Sequence, residues 1–107
     1  MTDEFNSQLQ NDPDQAAAIR RTALYTVLAQ VPEGKVVTYG QLAELAMLGR
    51  AARWVGRTLS QLPDGTRLPW HRVVAAGGRL SLEAGTSSGA EQRARLRSEG
   101  VLIMKNR

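Results

Sequence analysis

The sequence predicts a mainly helical domain with a small β wing, a winged helix-turn-helix. Three observations predict it. Two short amphipathic patterns, over residues 38–48 and 50–61, meet at Gly49 with almost no connecting chain. A longer helical pattern precedes them from Asp12-Pro13 onward. After them, Val73-Val74-Ala75-Ala76 runs into Gly77-Gly78 and a second short run at Arg79-Leu80, which reads as a hairpin.

The elements follow in order. Met1 to Asn11 is polar and aperiodic and is expected to fray. Asp12-Pro13-Asp14-Gln15 is a helix start: Asp12 caps, Pro13 suits the first turn, and Gln15 can reach back. Ile19, Ala23, Val27 and Val31 form an apolar stripe with Leu24 and Leu28 beside it, so this helix runs to about Gln30. Pro32-Glu33-Gly34 breaks it, and Lys35-Val36-Val37 is a short extended piece. Thr38-Tyr39-Gly40-Gln41 is a capping box opening a helix whose inner face is Leu42, Ala43, Ala46 and Met47, ended by Gly49.

The helix predicted over Arg50 to Gln61 carries the strongest polarity. At 100° per residue Arg50, Arg53 and Arg57 share one face, with Val55, Leu59 and Leu62 opposite. An ordinary solvated face is one reading, but three arginines with no lysine or acid on that face lean toward phosphate or base contact, since Arg makes forked hydrogen bonds. Ala51 and Ala52 allow close backbone approach. Pro63-Asp64-Gly65-Thr66 is a turn, and Arg79 is expected near the wing tip. Glu83 to Ser87 is a loop, and Ser88-Gly89-Ala90-Glu91 reads as another capping box. The last helix then runs to about Glu99 and stops at Gly100. The tail, residues 101–107, is a short strand or a docked end.

Length and composition narrow the function classes. At 107 residues the chain is expected to form one domain. It has no cysteine, hence no disulfide framework and no thiolate nucleophile. With a single His and no carboxylates clustered around it, a metal site is not expected. No apolar run approaches the ~20 residues of a membrane span, and a signal-peptide pattern is lacking, so a cytoplasmic location is expected. Residues 1–19 hold four acids and no base, and read as a flexible acidic extension. Residues 20–107 then hold 14 bases against 6 acids, which favours a polyanionic partner.

The densest chemistry lies in Leu68-Pro69-Trp70-His71-Arg72-Val73-Val74. Pro69 fixes the backbone before an indole and an imidazole at the mouth of a strand, a place suited to holding a flat ligand. His71 has no adjacent Ser, Cys or Lys to activate, and Ser60 and Ser81 carry no local signature. His71 therefore reads as a hydrogen-bonded structural histidine. Trp70 reads either as core packing or as a ligand surface.

Pro69-Trp70-His71-Arg72-Val73-Val74 resembles the active-site motif of the O6-alkylguanine-DNA alkyltransferases, Pro-Cys-His-Arg-Val, with Trp70 at the position of the alkyl-accepting Cys. That substitution marks the non-enzymatic alkyltransferase-like proteins. Val31-Pro32-Glu33-Gly34-Lys35-Val36 with Thr38-Tyr39-Gly40, Ala52-Arg53-Trp54-Val55-Gly56, Gly77-Gly78 and Glu99-Gly100 extend the resemblance over roughly residues 20–101. It departs at Leu62, where the enzymes keep an Asn, and at Glu83, where other members carry an aromatic or basic group. The enzymes' N-terminal domain has no counterpart in residues 1–19.

The resemblance implies a non-enzymatic sensor that binds O6-alkylguanine in double-stranded DNA by flipping the nucleotide, with no alkyl transfer and no cofactor. It would approach from the minor groove, bend the DNA, work as a monomer and flag the lesion for nucleotide excision repair proteins. It assigns Arg53 to the gap left by the flipped base and Tyr39 to the phosphate and the flipped base. Thr38, Arg50, Ala51, Ala52 and Arg57 join them as DNA contacts. The lesion pocket would be lined by Trp70, Tyr39, Val73, Leu59, Leu82, Glu83 and Ala84, with the main-chain carbonyls of Trp70 and Val73 accepting from the guanine amino group. His71 and Glu99 match the pair that activates the Cys in the enzymes and would here be structural. Two other readings stay open. One is a helix-turn-helix transcription regulator, which needs a dimer and a palindromic site. The other is an enzyme using His71 and Glu99 through water.

Overall fold

A computed structural model describes residues 12–103. The fraying expected over residues 1–11 and the end of the tail, residues 104–107, lie outside the described residues. The elements in order are α1 (Pro13–Leu28), β1 (Val37–Thr38), α2 (Tyr39–Leu45), α3 (Ala52–Ser60), a 3-10 turn (Trp70–Arg72), β2 (Val73–Val74), a second 3-10 turn (Ala76–Gly78) and α4 (Ser87–Ser98). Among the described residues no helix is long and apolar enough to cross a membrane.

Helix α1 starts as its sequence dictates. Asp12 Oδ1 accepts from the Asp14 and Gln15 amides at 2.9 and 3.4 Å, and Pro13 occupies the first turn. Residue 19, the boundary drawn between extension and domain, therefore falls inside α1. The buried stripe is rotated from the expected one. Leu24, Leu28 and Val31 are buried, whereas Ile19 is 59% exposed. With Leu42, Ala43, Ala51, Val55 and Val73 they form one core shared by α1, α2, α3 and β2. Each buried Leu contributes ~1.5–3 kcal/mol by leaving water.

Helix α2 opens with both halves of the predicted capping box. Thr38 Oγ1 accepts from the Gln41 amide at 3.0 Å, and Gln41 Oε1 accepts from the Thr38 amide at 2.9 Å. Its end departs from the sequence reading. The helix stops at Leu45 rather than Gly49, and Met47 takes φ +61°. The Leu48 amide donates to Ala43 and the Met47 amide to Glu44, which is the hydrogen-bond pattern of a Schellman cap. Met47 is thus 91% exposed instead of lying on the inner face. The turn lengthens accordingly, so α3 begins at Ala52, with Arg50 in the turn before it.

The small sheet also differs from the expected hairpin. β2 pairs in parallel with β1, Val37 opposite Val73 and Thr38 opposite Val74, and among the described residues no return strand follows. The chain instead makes a tight glycine turn, with Gly77 and Gly78 at φ +79° and +82°, closed by the Ala75 amide donating to the Arg79 carbonyl at 2.7 Å. Arg79 sits exposed at the end of that turn. Helix α4 is capped by Thr86, whose Oγ1 accepts from the Gly89 amide, and not by Ser88. Glu91, freed from the expected capping box, pairs with Arg95 one turn on. Gly100 closes α4 at φ +83°, and the chain runs on without a strand through residue 103.

Candidate nucleic-acid interface

The α2–turn–α3 unit presents a basic cleft. A cavity of about 650 Å³ is lined by Arg50, Ala51, Ala52, Arg53 and Arg57 together with Gly40, Glu44, Gly49, Trp54 and Arg20. Five of the predicted DNA contacts therefore share one concavity. The N-cap position of α3, Ala51, has no side chain to accept from the first amides of the helix. Those amides and the helix dipole leave partial positive charge at that end, where an anion is stabilised. Thr38 lines neither this cleft nor the pocket beside it. Its hydroxyl accepts from the Gln41 amide and caps α2.

Beside the cleft is a second, mostly apolar cavity of about 460 Å³. It brings together Trp70, Tyr39, Val73, Leu59 and Leu82, as the sequence reading expects, and adds Gly56, Ser60, Ser81 and Gln92. Ala52 and Arg53 line both cavities. Arg53 thus stands on the ridge between a site suited to a phosphate and a site suited to a flat apolar ring. Tyr39 is held at the pocket by a hydrogen bond between its hydroxyl and Ser81 Oγ at 2.9 Å. Trp70 is half-buried, edge-on to His71 at 6.3 Å, with the Arg95 guanidinium 6.0 Å from its ring centroid.

Glu83 and Ala84 do not line this pocket. The chain after Leu82 turns toward the N-terminus of α4, where the Glu83 carbonyl accepts from Thr86 Oγ1 at 2.7 Å. That turn is packed hard against Gly89: a Cβ there would stand 1.8 Å from the Glu83 carbonyl oxygen. Arg93, buried on α4, donates to the Leu82 carbonyl at 2.8 Å and fixes the pocket wall from behind. The two carbonyls expected to read a guanine amino group already have internal donors. The Val73 amide donates to Trp70, and Gln92 Nε2 donates to Val73 at 3.1 Å. Each keeps a second lone pair.

One carboxylate anchors the segment that carries Trp70. Glu99 accepts from His71 Nε2 at 2.7 Å, from Arg72 Nη2 at 2.7 Å and Nε at 3.0 Å, and from the Gly34 amide at 3.1 Å. Arg72 Nη1 also donates at 2.7 Å to the carbonyl of Val31, three residues beyond the end of α1. The Arg72 hydrogen bonds, aided by His71 and Gly34 and opposed by burial, lower the Glu99 pKa to about 2. The same hydrogen bond raises that of Arg72. His71 is thereby buried, with its ring hydrogen-bonded to Glu99 through Nε2 alone. Its Nδ1 and the Oε1 of Gln92 have no hydrogen-bond partner among the described residues.

Sequence reasoning missed Gln92, Arg93, Ser81, Arg20 and Trp54. For Gln92 there was a signal: a Gln on the same helical face as Leu96 and Glu99 marks a buried polar contact. The others depend on contacts between distant segments. Among the described residues no group of His, Asp and Glu could hold a metal ion.

Two short helices joined by a tight turn, a cluster of arginines at the start of the second and an apolar pocket behind it define a helix-turn-helix nucleic-acid-binding protein. Comparison with known proteins narrows the class. The chain belongs to the family described as 6-O-methylguanine DNA methyltransferase, DNA binding domain, which it matches over residues 20–101. It is 46% identical to the DNA base-flipping protein of Escherichia coli over 80 residues, which are 75% of this chain and 60% of that protein. It is 37% identical to Alkyltransferase-like protein 1 of Schizosaccharomyces pombe over 82 residues, 77% of this chain and 76% of the relative. Among solved structures, S. pombe Atl1 in complex with damaged DNA containing O6-carboxymethylguanine superposes with a TM-score of 0.74 at 33% identity, over 84% of this chain and 82% of that one. Mycobacterium tuberculosis OGT in complex with DNA superposes with a TM-score of 0.64 at 31% identity, covering 73% of this chain and 47% of that one. The helix-turn-helix class and the alkyltransferase-like resemblance read from the sequence both stand.

Proposed function

We propose that the chain is a non-enzymatic sensor of O6-alkylguanine in duplex DNA. The observation that carries this reading is the placement of Arg53 on the ridge between the basic cleft and the pocket walled by Trp70. Phosphates would lie in the cleft and at the start of α3, the damaged base would turn out into the pocket, and Arg53 would fill the vacated place in the stack. Trp70 stands where the enzymes keep their alkyl-accepting Cys. An indole at neutral pH is a very poor alkyl acceptor, but it offers a wide apolar face to an alkylated base.

The energies are compatible with selection by binding alone. Flipping costs about a few kcal/mol, less where an alkyl group has weakened the pair. Stacking on an aromatic side chain returns ~1–3 kcal/mol. The terms nearly balance for a damaged base and not for an intact one. By family resemblance, the bent and occupied complex, formed by a cytoplasmic, nucleoid-bound monomer, flags the lesion for nucleotide excision repair proteins and shields it from true alkyltransferases.

The test is a titration of two duplexes of one sequence, plain and carrying O6-methylguanine, at two salt concentrations. Mass spectrometry of protein and DNA after incubation completes it. The expected result is at least about tenfold tighter binding to the damaged duplex, 1.4 kcal/mol, with both masses unchanged. Equal affinities would favour a sequence-reading regulator. Loss of the alkyl mass from the DNA would favour an enzyme working through His71 and Glu99.

A further inference from the structure

The basic cleft holds one arginine that does not belong to the helix-turn-helix. Arg20 lies on α1, exposed, with its guanidinium carbon 4.5 Å from the ring centroid of Trp54 on α3. Trp54 is itself half-buried and packed against the core, so it is a fixed platform. Arg20 and Trp54 line the same cavity as Arg50, Arg53 and Arg57, and Glu44 is the one acid among the residues lining it. Among the described residues none of these four arginines forms an ion pair, whereas Arg72 and Arg95 do.

Two physical consequences follow. A guanidinium held over an indole ring still has N–H donors to offer a further acceptor. The contact also removes rotamer freedom that a free surface arginine would otherwise lose on binding. Four positive charges around one concavity, without an ion pair among the described residues, repel one another, and the repulsion is relieved by an anion seated among them.

We propose that Arg20, held over the ring of Trp54, is a pre-oriented phosphate clamp that extends the DNA-binding surface from α3 onto α1. This rests on the DNA-binding part of the proposed function and assigns Arg20 to the backbone rather than to the lesion. Trp54 is the positioning residue, acting through Arg20.

The test compares wild type, Arg20→Ala, Arg20→Lys and Trp54→Leu on plain and O6-methylguanine duplexes over a range of salt concentrations, with circular dichroism to check folding. Arg20→Ala should weaken both duplexes by the same factor, about 5- to 20-fold at low salt. It should also reduce the slope of log affinity against log salt by about 0.9, the signature of one lost phosphate contact. Arg20→Lys should keep the slope and lose part of the affinity, because it retains charge without the forked donors. A folded Trp54→Leu should resemble Arg20→Lys; if it does not fold, the two Arg20 variants decide. An unchanged slope for Arg20→Ala, or a loss confined to the damaged duplex, overturns the clamp. Absence of any lesion preference in wild type, with the slope still falling for Arg20→Ala, would overturn damage sensing and leave the clamp standing. No DNA binding by wild type overturns both.

Discussion

Glu99→Gln should unfasten the frame that holds Trp70, and its cost can be worked from the structure. The carboxylate accepts from His71, Arg72 and Gly34, and its side chain and that of Arg72 are only 11% and 16% exposed. A pKa lowered from 4.5 to about 2 corresponds to at most about 3 kcal/mol of stability at neutral pH. Screening at the solvent-facing edge reduces this to about 2 kcal/mol. That is a large part of the ~5–15 kcal/mol available to a domain. The sign follows from the direction of the shift. A carboxylate with a depressed folded pKa stabilises the fold fully above pH ~4.5 and loses that contribution as pH falls toward ~2. The assay is urea unfolding of wild type and Glu99→Gln at intervals from pH 7 to pH 2. The variant should be about 2 kcal/mol less stable at pH 7, with a melting temperature lower by about 10 °C. The gap should close as the pH approaches 2. Two curves that stay parallel across that window would falsify the assignment of Glu99 as the anchor.

Four further outcomes are expected. Met47→Gly should stabilise the domain by about 1 kcal/mol in urea unfolding, because Met47 occupies a left-handed position and its side chain is solvent-exposed. Gly89→Ala should destabilise by about 1–3 kcal/mol and also weaken lesion binding, because a Cβ 1.8 Å from the Glu83 carbonyl oxygen must push the Leu82 wall aside; an unchanged thermal melt would contradict this. Arg53→Ala should weaken binding to the damaged duplex by about tenfold or more in a fluorescence titration, through the unfilled gap in the stack. Trp70→Ala should reduce the preference for large alkyl groups more than it lowers affinity for plain DNA, and an equal drop on both would make Trp70 merely structural.

Much of this architecture is legible because it is written locally. Asp12-Pro13 and Thr38-x-x-Gln41 cap helices through contacts within four residues, and both form as the sequence dictates. Gly100 closes α4 in the same way. The misreadings lie where a distant partner decides. Val73-Val74 has a strand's composition, but its partner is Val37-Thr38 and not the run after the glycine pair. Ile19 loses its place in the core because the helix turns Leu24 and Leu28 toward α2 and α3 instead. Met47 is the instructive failure: the last turn of a helix tolerates a left-handed non-glycine when the next residues cap it well, and no local rule announces that choice. The candidate site shows the same division. The pocket residues in the Trp70 segment and on α3 could be read from the motifs, whereas Gln92, Arg93 and Arg20 reach the site only through the packing of α4 and α1.

The frame around residue 70 is built without using its side chain. His71 and Arg72 are tied to Glu99, and Arg72 reaches on to the Val31 carbonyl in the segment after α1. Val73 and Val74 are held by β1, and Gln92 spans the carbonyls of His71 and Val73. The backbone is therefore fixed immediately after a position whose side chain lines the pocket. A position so framed can change its side chain while the fold stays put, because the anchoring contacts come from its neighbours. The corollary separates the two roles by experiment. Trp70→Ala should alter recognition of damage more than it alters unfolding, and Glu99→Gln should alter unfolding more than the ratio of affinities for damaged and intact DNA.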